Sequence, residues 1–129
     1  NGSVEVGANA SLVAQDVNIT GNLLSDSAAL LDIGGASRVG GSIQVQRGAA
    51  ASIVGVTSTG SMQITAMTGP VTASGNRLGG NIQILANRGG VTLNNNVTPG
   101  GVMQCKDNLP APTGSGNVAS QKQDQCVGL

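Results

Sequence analysis

Gly60-Ser61-Met62-Gln63-Ile64 returns twenty residues later as Gly80-Asn81-Ile82-Gln83-Ile84, and that recurrence decides the fold. Working outward, the same pentapeptide is Gly41-Ser42-Ile43-Gln44-Val45 and, in looser form, Gly2-Ser3-Val4-Glu5-Val6 and Gly21-Asn22-Leu23-Leu24. A last copy is Gly101-Val102-Met103-Gln104-Cys105, and the leading glycines are 19, 20, 19, 20 and 21 residues apart. A fixed period of this length marks a repeat architecture in which each unit covers its neighbour.

After its glycine each copy alternates apolar and polar residues, the period of a strand with one buried face. A second short apolar run follows about ten residues on, as in Leu31-Asp32-Ile33, Ala51-Ser52-Ile53, Val71-Thr72-Ala73 and Val91-Thr92-Leu93. A third, weaker run holds Val17-Asn18-Ile19, Val39, Val56, Leu78 and Val97. Gly, Asn and Ser fill the gaps, as corners with unusual backbone angles require. Three strands per repeat make one turn of a triangle. The expected fold is therefore all-β, a single-stranded parallel β-helix (β-solenoid) of about six coils of ~20 residues. Coil lengths of 19 to 21 favour the right-handed form, since the left-handed form keeps a six-residue rhythm. Coils ~4.8 Å apart would give a rod on the order of 30 Å long.

This register predicts a buried ridge of Val4, Leu23, Ile43, Met62, Ile82 and Met103. Its partner column is Val6, Ser25, Val45, Ile64, Ile84 and Cys105, where Ser25 points to an irregular second coil. At 129 residues the chain fits one domain. It has no Phe, Tyr, Trp or His, so aliphatic residues and Met must build the core.

Coils are expected over residues 1–105 and a cap over 106–129. After Cys105 the repeat stops, and Pro110 and Pro112 remove ladder donors. This segment reads as a lid crossing the open end. Cys105 and Cys126 lack CxxC spacing and a histidine, which favours a disulfide over zinc and an oxidising compartment. Such a closed loop is worth about 3 kcal/mol. Gly2-Ser3-Val4 instead enters the repeat at once, so the first coil is expected to be covered by upstream sequence or by another chain. Asn1 to Val4 lacks the basic start and apolar run of a signal peptide, so the chain reads as a mature or excised segment.

The tail carries a resemblance. Gly100-Gly101-Val102-Met103-Gln104-Cys105, Asn108-Leu109-Pro110-Ala111-Pro112-Thr113-Gly114 and Asp124-Gln125-Cys126-Val127-Gly128-Leu129 look like the ends of uncharacterised secreted bacterial β-solenoid proteins. Those proteins have a similar GGNxxC, NxPxP and QCxGL pattern after glycine-rich repeats. The resemblance covers about 30 residues, and it implies export and a disulfide but no activity. More generically the chain resembles the β-helices of adhesins, pectate lyases and phage fibres.

Composition narrows function. Charged residues are 9% of the chain and balance to zero, which argues against nucleic acid or another polyanion held by charge alone. No run approaches the ~20 apolar residues of a membrane span. A Ser–His nucleophile is impossible without histidine. The acids Glu5, Asp16, Asp26, Asp32, Asp107 and Asp124 share no column on the repeat, leaving no carboxylate pair for sugar cleavage. The paired glycines lack the strand–helix setting of a phosphate loop, and no cofactor is expected.

Binding residues are few. Gln44, Gln63, Gln83 and Gln104 should form an outward ladder of amides hydrogen-bonded along the axis, with glycan binding as the sharper alternative. Arg38 and Arg77 share one offset from their coil glycines, and Arg47 and Arg88 lie near another corner; either pair could hold an anionic group. Asp32, Ser52, Thr72 and Thr92 make a further outward column, an outlying case for ice binding. Sequons at Asn1, Asn9, Asn18 and Asn96 read as chance matches. The expectation is a non-enzymatic, secreted or cell-surface structural or adhesive module that self-associates through its first coil, with carbohydrate binding as the alternative.

Overall fold

The computed structural model describes residues 2–129. Coil one is β1 (Val4–Val6), β2 (Ser11–Gln15) and β3 (Asn18–Ile19). Coil two is β4 (Leu23–Asp26), β5 (Leu30–Gly34) and β6 (Arg38–Val39). Coil three is β7 (Ile43–Gln46), β8 (Ala51–Val54) and β9 (Thr57–Ser58). Coil four is β10 (Met62–Thr65), β11 (Val71–Ser74) and β12 (Arg77–Leu78). Coil five has β13 (Ile82–Leu85), β14 (Val91–Asn94) and the start of β15 (Val97–Lys106), which bends on to open coil six. β16 (Thr113–Ser115) and β17 (Val118–Asp124) follow. The chain is a β-solenoid of about six coils with no helix among the described residues, so none long enough to cross a membrane.

Equivalent strands of successive coils pair in parallel and build three faces. The first runs β1-β4-β7-β10-β13-β15 and the second β2-β5-β8-β11-β14-β16. The third runs β3-β6-β9-β12 to the start of β15, which joins it to the first face without a break.

The predicted ridge is present. Val4 pairs with Leu23, Leu23 with Ile43, Ile43 with Met62, Met62 with Ile82 and Ile82 with Met103. From Leu23 onward all of these are buried, because alternate side chains point inward and stack coil on coil. Ser25 is also buried, yet Val6, Ser25 and Val45 pair in unbroken register. The second coil is therefore regular there, since a small side chain changes packing without changing the ladder. The weak third run divides differently from its expected form. Ile19, Val39, Ser58 and Leu78 point inward, Val56 lies at a corner, and Val97 shares the outward column of Arg77.

The tail departs from the expected lid. Thr113–Ser115 pairs with Thr92–Asn94, and Val118 and Ala119 pair with Val97 and Thr98. Gln121–Asp124 then pairs with Val102–Cys105 and opens a seventh level of the first face. The prolines do not end the sheet because both precede β16, in the connection from β15. Residues 106–129 continue the solenoid, and the expected cap is a further turn of it. Lys122 lies over buried Met103, its ammonium bonded to the Leu129 carbonyl at 2.5 Å, so its alkyl stem replaces a seventh core residue. The disulfide Cys105–Cys126 pins this turn to the coil beneath, with both cysteines fully buried.

At each corner side-chain hydrogen bonds supplement the backbone bonds between coils, continuously along the glycine corner and in the later coils at the other two. After the first face, Ser27, Arg47, Ala66, Ala86 and Asp107 adopt the left-handed conformation, with φ between 54° and 58°. The next residues include Asn87 and Asn108, which point inward: Asn87 donates from its N–H and Nδ2 to Asn108 Oδ1, at 3.0 and 2.9 Å. Gln125 Oε1 accepts from Asn108 in the same way. At the following corner Asn76, Asn96 and Asn117 repeat the arrangement, and all three are buried. Their Nδ2 groups also reach the carbonyls of Ile53, Ala73 and Leu93. Buried amide groups require partners, and here each amide finds them in neighbouring coils. At the glycine corner an outer ladder of Ser3, Asn22, Ser42, Ser61 and Asn81 accepts the N–H of the next coil.

From Gly21 onward the leading glycines serve close approach rather than positive φ. A Cβ on Gly60 would lie 2.8 Å from Ser42 N and from Gly41 C, so no side chain fits between these coils.

Candidate functional site

Register places the expected glutamines in one outward column. Glu5, Leu24, Gln44, Gln63, Gln83 and Gln104 pair in sequence, and Gln123 extends them by one level. Reading the tail as a lid concealed Gln123, since a lid would not keep register with coil six.

The amides do not hydrogen-bond to one another up the column. Gln104 Nε2 donates to Asp124 Oδ2 at 3.0 Å, and Gln123 Nε2 donates to Gln121 Oε1 at 3.1 Å. The side chains of Gln44, Gln63 and Gln83 bond to no other described residue. The axial amide ladder therefore lies inside, in the asparagines, where water cannot compete. The amides of Gln44, Gln63 and Gln83 keep their hydrogen-bonding groups open to solvent. Shallow hollows lie along this face, one bordered by Asn81, Gln83, Val102, Gln104 and Gln123. Another near the first coil is bordered by Glu5, Leu24, Asp26, Gln44 and Gln46.

Arginines 47 and 88 do not form a pair. Arg47 forms a salt bridge to Asp26 one coil below, with Nε at 2.9 Å from Oδ1. Ser27 Oγ and Gln46 Nε2 also donate to that carboxylate, at 2.9 and 3.2 Å. The Arg47 guanidinium, helped by these donors, lowers Asp26 to about 2. Arg88 donates instead to the carbonyl of Asp107. Arg38 and Arg77 do share a column, with Thr57 between them.

The remaining acids are dispersed. Asp16 accepts from the Ala36 N–H at 2.8 Å, and Asp32 lies on the second face. No group of three or more potential metal ligands comes together among the described residues. The column Asp32, Ser52, Thr72 and Thr92 continues to Thr113, and Ser74, Asn94 and Ser115 stand two positions along the strands. It is thus a single line of threonines without a second threonine line beside it. Of the sequons, Asn96 is fully buried in its ladder and Asn1 lies outside the described residues.

At the first coil, β1, β2 and β3 each pair on one side only among the described residues. Val13 is 64% exposed there, and Val4, Leu12 and Val17 are half-buried against the core.

No family model matches the chain, and neither a curated protein nor a solved structure is detectably similar to it.

Proposed function

We propose that this chain is a non-enzymatic β-solenoid module of a secreted or cell-surface bacterial protein, with a structural or adhesive role. The observation that carries the reading is the unbroken parallel pairing of coil to coil on the first two faces, reinforced by a polar ladder along the glycine corner from Ser3 to Asn81 and by buried asparagine ladders at the other two corners in the later coils. Such cross-linking makes a stiff spacer, and stiffness is what a stalk or fibre segment requires. The cysteine pair fits export, because disulfides persist in oxidising compartments. Among the described residues the edge of β1, β2 and β3 offers backbone groups and the half-buried Val4, Leu12 and Val17, a surface that fits a further coil from preceding sequence or from a second copy of the chain.

An antibody against residues 106–129 tests the location. Labelling of intact cells or of the culture medium is the expected result. Labelling that appears only after permeabilisation would contradict the proposal.

The open amides of Gln44, Gln63 and Gln83 favour a second reading, binding of a neutral glycan along the first face. Loss of glycan-array signal in Gln63→Ala and Gln83→Ala would support it, and the absence of signal from any glycan would remove it.

A further inference from the structure

The third face holds two of the six cations of a chain whose charges sum to zero. Asn18, Arg38, Thr57 and Arg77 form one outward, exposed column, paired coil to coil on β3, β6, β9 and β12. With coils about 4.8 Å apart, the two arginines are rooted about 10 Å from each other along the axis. Neither guanidinium makes a hydrogen bond or ion pair with another described residue. No carboxylate lies on the strands of this face. The neighbouring acid is Asp16 at the adjoining corner, which accepts the Ala36 N–H.

A groove opens beside this column, bordered by Thr57, Thr59, Arg77, Gly79, Pro99 and Gly100. Its far wall has a specific origin. The connection from Val97 to Met103 is one residue longer than that from Arg77 to Ile82 in the coil below, and its Pro99 and Gly100 are exposed. A regular corner would leave the face flat there.

We propose that this face binds a linear carboxylated polysaccharide lying along the rod axis, with carboxylates on Arg38 and Arg77 and a sugar hydroxyl on Thr57. An extended uronic-acid polymer with two-fold symmetry turns alternate carboxylates to one side, at a repeat close to two coils. Guanidinium groups suit carboxylates because their N–H groups form a planar fork. Nucleic acid fits poorly, because the chain has no aromatic side chain on which a base could stack. The site is separate from the glutamine face and goes beyond the proposed structural role.

The test is affinity electrophoresis of the whole chain through gels containing alginate, neutral dextran or dextran sulfate. Alginate is expected to retard the protein at low salt, and dextran is not. Arg38→Gln/Arg77→Gln should weaken alginate binding by about tenfold or more, as loss of charge-assisted hydrogen bonds implies. Arg88→Gln/Lys106→Gln removes the same charge elsewhere and should leave binding within about twofold. Gln63→Ala/Gln83→Ala should also leave it unchanged, which separates this site from the glutamine face. Unaltered melting of each variant excludes misfolding. No retardation by alginate, or equal loss in the two charge variants, would overturn the proposal. Retardation by dextran sulfate alone would overturn the carboxylate assignment.

Discussion

Asn96 Oδ1 accepts two hydrogen bonds from Asn76, from its backbone N–H at 3.3 Å and from its Nδ2 at 2.9 Å. Both residues are buried, so no water replaces either bond. Asn96→Ala strands these two donors and frees the Ala73 carbonyl that Asn96 Nδ2 had bonded. Each orphaned buried group costs about 1–3 kcal/mol, so a loss of about 3 kcal/mol or more is expected by denaturant unfolding. Gln63→Ala, on an open amide, should change stability by less than about 0.5 kcal/mol. Equal effects would mean that the ladder does not hold the coils together.

The disulfide gives a second prediction. Cys105 and Cys126 join the coil of β15 to the final turn, and both are buried. Reduction should cost about 2–4 kcal/mol and lower Tm by several degrees. Hydrogen exchange should rise first in β16 and β17, while the β7–β10 ladder stays protected. An unchanged melting curve under reductant would contradict a pinned end.

Acid should act on one ion pair. Arg47 and the donors around Asp26 lower its carboxyl to about 2, below its ordinary 3.8. A depressed folded-state pKa contributes stability that is present above the ordinary value and lost as pH falls through the folded one. Tm should therefore fall between pH 4 and pH 2, and Asp26→Asn should flatten that fall. The same slope in the variant would show that the pair contributes nothing.

Coil spacing is tested at glycine. A Cβ on Gly89 would come 2.1 Å from the backbone of Gly69, whereas one on Gly100 would meet nothing within 4 Å. Gly89→Ala should destabilise by about 1–3 kcal/mol through forced separation of the coils, and Gly100→Ala should be near neutral. Similar melting of the two variants would argue against contact-limited stacking.

Much of this molecule was legible in its sequence, for physical reasons. The recurring Gly-x-apolar-x-apolar unit marks strands because inward and outward positions alternate strictly, and so it aligned Ile43, Met62 and Ile82 correctly. It also placed Gln44 to Gln104, and Arg38 with Arg77, in their columns. What it hid was polar. Asn76, Asn96 and Asn117 recur at 20 and 21 residues, a signal as regular as the glycines. Asparagine reads equally well as a solvated corner, and only burial separates the two roles. The tail was misjudged because proline is excluded from a ladder but not from the connection before it. Val56 and Val97 went to unexpected positions because the third face pairs over only one or two residues per coil, too short an alternation to fix a phase.

The central claim is a stiff module whose first-coil edge takes a further coil, from preceding sequence or from a second copy, and the mass in solution of residues 1–129 alone tests it most directly. Light scattering with refractive-index detection suits a chain without aromatic residues. For that isolated chain the account predicts a dimer or a longer stack, reverting to monomer when Leu12→Lys places a charge in the inward column of β2. A monomer at every concentration, with no change in the variant, would contradict assembly through that coil.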